Sequence, residues 1–278
     1  MKKLLLLLFT FTTMALFTGL HAQEIKVLSL NIRNSNFSYQ DGDNQWINRR
    51  NAIVNMIESE HPTVFGLQEA LLNQINFLNS KLGRQYYYYG KGRDNGRSRG
   101  EHLAIFYDFS QVELTSYATY WLSTTPNRVS KGWDASCMRT VTVTSFRYKE
   151  TGETFYYINT HLDLEGTTAR RESIKQIAQI INNTVPPNIP VILGGDMNSE
   201  IDPELFKPLF DIGMEESRRI AYRTDYRNSY NAFGKDHGAM NDHFMSRGIN
   251  IESFKTIRKG YGVPYISNHY PIVIVFKQ

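Results

Sequence analysis

Apolar and polar residues alternate through EIKVLSLNIR, Glu24 to Arg33, and predict a strand that ends near Asn31. After the polar loop NSNFSYQDGDNQ the spacing changes. Trp46, Ile53, Val54 and Ile57 fall on one face of a helix in WINRRNAIVNMIESEHP, with Pro62 as its stop. TVFGLQEA reads as a short buried strand, and LLNQINFLNSKLG as a helix ended by Gly83. The middle of the chain is dense in β signals: QYYYYG, HLAIFYD, VELTSYATYWLS, CMRTVTVTSFRY and TFYYINTHLD. Successive strands with short turns predict antiparallel pairing. TTARRESIKQIAQIINNTV is an amphipathic helix with a threonine cap, and PVILGGDMN is an apolar strand entering a glycine turn. DHFMSRG, INIESFKTI and PIVIVF follow as strands.

No repeat, low-complexity linker or break in composition divides the chain. The pattern predicts one α/β domain, with two helix-strand halves whose sheets pack face to face and are flanked by helices.

Composition changes this picture at the N-terminus. MKKLLLLLFTFTTMALFTGLHA has two lysines, an apolar run and a small residue at Ala22, the pattern of a cleaved secretory signal over residues 1–22. An uncleaved anchor is the competing reading, because the run approaches the length of a membrane span. Thr, Gly and His near its end favour cleavage, and no cysteine follows it to carry a lipid. A mature domain of residues 23–278, periplasmic or secreted, is expected, without stable membrane insertion and as a monomer. Its only cysteine is Cys137, so no intramolecular disulfide can form and the core must hold the fold.

Charge narrows the partners. The chain carries a formal +4, and without Lys2 and Lys3 there are 29 basic against 27 acidic residues. That balance does not supply the basic face of a typical DNA-binding protein. The basic stretch KGRDNGRSRG, Lys91 to Gly100, reads equally as a solvated loop and as a substrate-facing one.

The candidate chemistry lies at strand ends. Asn31, Glu69, His161 and Asp196 with Asn198 each follow an apolar strand, His269 precedes one, and Asp242 opens one. Singly, each has an ordinary role as a turn or cap residue. Together they can bind a hard divalent cation and a phosphate, because Mg²⁺ takes one or two carboxylates and leaves room for phosphate oxygens. Amides and imidazoles can donate to the charge that develops on phosphorus-bound oxygens, and a carboxylate can take the proton of an attacking water.

SLNIR, GLQEA, NTHLD, GGDMNS and SNHYP, in this order, resemble the motifs of the endonuclease/exonuclease/phosphatase family, which includes deoxyribonuclease I, apurinic endonucleases, inositol-polyphosphate phosphatases and secreted sphingomyelinases. The resemblance implies a four-layer α/β/β/α sandwich of two mainly antiparallel sheets, and phosphoester hydrolysis with Mg²⁺ or Mn²⁺. It implies Glu69 as the main metal carboxylate with Asn31 assisting, Asp196 orienting the water, and Asn198 and His161 at the phosphate. His269, oriented by Asp242, is the second histidine; water activation falls jointly to Asp196 and the Asp242–His269 pair. RGEHLAIFYD makes Glu101 a site candidate. YWLSTTPNRVSKGWDASCMRT resembles a secreted bacterial subgroup, which makes Arg139 a candidate phosphate clamp and Lys131, Trp133 and Asp134 candidates to line a substrate pocket. Their ordinary readings are an ion pair for Arg139, a core position for Trp133 and a turn for Asp134.

One position departs from the family. Its last motif has Asp before His, where this chain has Asn268, which keeps a carbonyl ligand and loses a charge. Weaker metal binding is expected there. The expected activity is hydrolysis of a phosphomonoester or phosphodiester, with a small phosphorylated substrate preferred. The alternatives are a nuclease acting on DNA or RNA, and a non-catalytic phosphate- or glycan-binding module with a weakened metal site.

Overall fold

The computed structural model describes residues 24–235 and 238–277, so the expected signal at 1–22 and the mature start at Gln23 lie outside the described residues. The chain begins with β1 (Glu24–Asn31), crosses through α1 (Trp46–Glu60) and returns as β2 (Val64–Gln68). The crossover makes β1 and β2 parallel, so Asn31 stands beside Gln68 at the same end. Helix α1 ends on His61 in a left-handed conformation (φ 46°), one residue before Pro62. Then come α2 (Leu72–Leu82), β3 (Tyr86–Tyr89) and β4 (Ile105–Asp108). Gly83 caps α2 with a right-handed φ of −65°, not the left-handed one that favours glycine.

The second half repeats the plan. β5 (Val112–Trp121), β6 (Thr140–Tyr148) and β7 (Thr154–His161) form an antiparallel meander. Helix α3 (Thr167–Thr184) then crosses to β8 (Val191–Asp196), parallel to β7. After α4 (Pro203–Phe210) and β9 (Glu215–Glu216) come β10 (Asp242–Arg247), β11 (Ile251–Thr256) and β12 (Ile272–Lys277). One six-stranded sheet has the order β11-β12-β1-β2-β4-β3, and the other β5-β6-β7-β8-β10-β9. Among these strands every pairing is antiparallel except β1–β2 and β7–β8.

Three apolar layers hold the sandwich. Leu28, Leu30, Phe65 and Leu67 pack under Ile53 and Ile57 of α1 and Ile75 of α2. Ile158, Val191 and Leu193 do the same under Ile174, Ile177 and Ile181 of α3. Between the sheets lie Val27, Val64, Ile192 and four fully buried phenylalanines, Phe146, Phe155, Phe244 and Phe276. Each such side chain stabilises the fold by about 1.5–3 kcal/mol. The predicted four-layer architecture is the one observed.

Besides short helical turns such as Ser38–Asp41 and Ser217–Ile220, α4 and β9 escape the sequence pattern. α4 contains Pro208, which masks its helical spacing, although Asp202 caps it by accepting from Glu204 N and Leu205 N. β9 is two residues long and too short to show alternation. The expected threonine cap of α3 is also replaced: the N-cap residue is Gly166, and the carboxylate of Asp134 accepts from Thr168 N and Ala169 N.

Candidate active site

Register places the polar residues before any side chain is considered. His161 lies beside Asp196 across the parallel β7–β8 pair, and Asp196 lies beside Asp242 across β8–β10. Asn31 ends β1 and Glu69 follows directly on β2, the central strands of the facing sheet. The sheets meet at this end, where Asn31 Nδ2 donates to Glu69 Oε1 at 2.9 Å and to Asp196 Oδ2 at 3.0 Å. A single amide thus joins the carboxylates of the two sheets.

The backbone is forced into place here. Glu69, Asn198 and Arg33 are non-glycine residues with φ of 61°, 47° and 60°. Such conformations cost about 1–3 kcal/mol and cluster at functional sites. Gly195 (φ 141°) is required by close approach, since a Cβ there would lie 2.0 Å from Thr160 O. Buried Arg49 donates to Ile32 O and, at 3.1 Å, to Ile266 O, tying the loop after β1 to the approach of SNHYP.

Around the Asn31 bridge is a cleft of about 410 Å³. Glu69, Glu101, Arg139, His161, Asp196 and Asn198 line it, and Asn268 and His269 complete that side. Asp242 stands behind His269, with Oδ2 accepting from Nδ1 at 2.7 Å. Burial disfavours the His269 imidazolium, but Asp242 and Asp196 outweigh it and raise its pKa to about 9. Burial and the neighbouring Asp242 raise Asp196 to about 6, against the opposing pull of His269 and Asn31. A carboxylate at that value is matched to proton transfer near neutral pH. His161 is the opposite case: burial, with Arg139 and Arg93, lowers its pKa well below the usual value and holds the ring neutral. Asn198 Nδ2 donates to Leu162 O at 2.9 Å and faces His161 Nε2 at 3.1 Å. That network assigns the His161 proton to Nδ1, which is buried without a partner.

Arg139 is buried and held by Asp163, which accepts from its Nε at 3.1 Å. Asp163 also accepts from Ser136 N, Ser136 Oγ, Glu165 N and Gly166 N. Its importance was not read from the sequence, although it closes the NTHLD motif. Glu101 accepts from Asn34 Nδ2 and pairs with Arg93; burial pushes its carboxyl up, with Arg93 opposing. From the basic loop Lys91–Gly100, Arg93 lines the cleft, whereas Lys91, Arg97 and Arg99 are exposed. Trp133 is half-buried and is not among the cleft-lining residues, and Asp134 serves α3 rather than a pocket.

The donor set fits a hard cation. Asp196, Asp242 and His269 each bring one ligand atom within 4.8 Å of the others. His269 has its Nδ1 engaged by Asp242, and with its pKa raised to about 9 the ring offers no lone pair at neutral pH. Glu69 offers a better starting point. Its carboxylate and that of Asp196 both accept from the Asn31 amide group, where Mg²⁺ or Mn²⁺ would neutralise both, and Asn268 opens onto the same cleft.

Comparison with known proteins agrees. The family model described as Endonuclease/Exonuclease/phosphatase family matches residues 28–256. A family protein from Bacteroides vulgatus superposes with a TM-score of 0.85 at 28% identity, covering 92% of this chain and 99% of its own. A mannosyl-6-phosphatase from Bacteroides thetaiotaomicron superposes with a TM-score of 0.83 at 28% identity, covering 90% of this chain and 98% of its own. An uncharacterized protein of Acanthamoeba polyphaga mimivirus is 26% identical over 270 residues, 91% of this chain and 100% of its own. With its two six-stranded sheets, its strand-end residues and the match over residues 28–256, the chain belongs to the endonuclease/exonuclease/phosphatase family.

Proposed function

We propose that the protein is an exported, divalent-metal-dependent phosphoesterase that hydrolyses a phosphorylated sugar by attack of water. The observation that carries this reading is the convergence of Asp196, poised at about 6, with a protonated His269 and the buried Arg139 guanidinium in one cleft. Asp196 takes the proton of the water. His269, fixed by Asp242, donates to a phosphate oxygen, and Arg139 binds the same group through its η nitrogens. Neutral His161 and Asn198 complete the hydrogen bonding around the phosphate. Mg²⁺ or Mn²⁺ held by Glu69, with Asn31 and Asn268 beside it, supplies charge neutralisation to the phosphoryl oxygens when bound. Export rests on the secretory pattern of residues 1–22.

The preference for a sugar phosphate rests on the mannosyl-6-phosphatase likeness and on the small net charge. A panel of p-nitrophenyl phosphate, bis-p-nitrophenyl phosphate, mannose 6-phosphate and plasmid DNA, with Mg²⁺ or Mn²⁺, tests it. Release of phosphate from the monoesters is the expected outcome. Faster cleavage of plasmid than of any monoester would replace the sugar phosphatase by a nuclease.

A further inference from the structure

A second cavity, of about 430 Å³, opens beside the catalytic cleft, and Tyr230 lines both. Its volume falls within the usual range of small-ligand pockets, about 300–1,000 Å³. The walls carry four tyrosines, Tyr226, Tyr230, Tyr265 and Tyr270, together with Arg227 and Arg258.

The cavity is joined to the site through the backbone. Tyr230 bridges to His269, Tyr270 N donates to Ser229 O at 2.7 Å, and Asn231 N donates to Asn268 O at 2.8 Å. The Tyr230 ring meets the His269 ring edge-on at 5.1 Å. The chain that leads into the Gly234 wall is strained: Ala232 and Phe233 are left-handed, with φ of 47° and 55°, before Gly234 at 80°. Gly234 lets Tyr265 lie against the chain, because a Cβ there would meet the tyrosine hydroxyl at 2.2 Å.

The lining selects for one kind of chemistry. Tyrosine rings present apolar faces with polar tips. A guanidinium presents a planar fork of donors that engages two neighbouring oxygens at once. The Arg258 guanidinium lies 5.3 Å from the centre of the Tyr270 ring, and no carboxylate pairs with Arg227 or Arg258 among the described residues. Tyr226 is 65% exposed. A sugar ring matches this lining, with C–H faces for the tyrosines and vicinal hydroxyls for the arginines.

Building on the phosphoesterase reading, we infer that this pocket holds a glycosyl unit joined to the phosphorylated sugar, so that the preferred substrate is a phosphorylated oligosaccharide. The test compares kcat/KM for a 6-phosphorylated mannose disaccharide and for mannose 6-phosphate in the wild type, Tyr226→Ala and Arg258→Ala. p-Nitrophenyl phosphate and a hexose bisphosphate are run alongside. The wild type should prefer the disaccharide at least tenfold, and the preference should fall towards one in both variants. A wild-type ratio near one, or a ratio that survives both substitutions, overturns the glycosyl assignment. Preference for the bisphosphate over the disaccharide also overturns it and gives the arginines to a second anion. If p-nitrophenyl phosphate is hydrolysed, only the pocket assignment falls in these cases; if none of the esters is hydrolysed, the phosphoesterase reading falls with it.

Discussion

Asp163 Oδ2 accepts from Arg139 Nε at 3.1 Å, and both η nitrogens of that guanidinium are left without a partner among the described residues. Burial would raise the Asp163 carboxyl, but Gly166, Ser136 and Arg139 donate to it and hold it well below the usual carboxylate range. A charged residue fixed in this way presents the open edge of Arg139 to a cleft that it lines.

Arg139→Ala is therefore expected to lower kcat/KM about 10²–10³-fold, the typical effect of removing one preorganised donor. Arg139→Lys keeps the charge, loses the fork and should recover only part of the activity. Asp163→Ala should reduce kcat/KM by about tenfold or more and also lower stability, since each buried donor left unpaired costs about 1–3 kcal/mol. Steady-state kinetics beside thermal melts checks both. Wild-type kinetics in Arg139→Lys would remove the bidentate clamp.

The Asp242–His269 pair gives a pH signature in metal-free protein. The folded pKa of His269, about 9, lies above its ordinary value of 6.5. The charged ring therefore stabilises the fold fully below about 6.5, and this contribution is lost as pH rises through about 9. Melting temperatures measured in chelator should fall between these values more steeply in the wild type than in His269→Gln. Parallel profiles for the two proteins would place the charge elsewhere.

Asn268 is expected to weaken metal binding. Asn268→Asp restores a negative charge at the cleft and should lower the half-saturating Mg²⁺ or Mn²⁺ concentration about tenfold, roughly 1.4 kcal/mol. Direct titration of the metal by calorimetry reads this independently of turnover. An unchanged affinity would take Asn268 out of the metal site.

Asp134 is expected to act on the fold. Its carboxylate caps the N-terminus of α3 through Thr168 N and Ala169 N, where negative charge also suits the helix dipole. Asp134→Ala should lower the melting temperature, while Asp134→Asn, which keeps an acceptor, should lower it less. Changed substrate selectivity at unchanged stability would return Asp134 to a substrate pocket.

Much of this was legible because strand periodicity and strand-end chemistry are local. Alternation in EIKVLSLNIR and the apolar run VILGGD fixed where β1 and β8 stop, and so where Asn31 and Asp196 stand. What brings those two residues to 3.0 Å is the packing of one sheet on the other, which no single stretch of chain encodes. The role of Asp134 was hidden for the same reason: its partners Thr168 and Ala169 lie more than thirty residues downstream. Asp163 was hidden by its neighbour, because His161 two residues earlier carries the obvious chemistry of NTHLD. The tyrosine pocket assembles residues from the segments around Tyr226–Gly234 and Arg258–Tyr270, neither of which has a regular period.

The central claim is that Asp196 accepts the proton of a water that attacks phosphorus. The most direct measurement is metal-dependent phosphate release from mannose 6-phosphate and p-nitrophenyl phosphate by wild type and Asp196→Asn, with both proteins shown to be folded by circular dichroism. Release by the wild type in Mg²⁺ or Mn²⁺, abolished by chelator and reduced at least about 10²-fold in Asp196→Asn, is the expected result. Equal rates in the two proteins, or no release from either ester by the wild type with metal present, would contradict it.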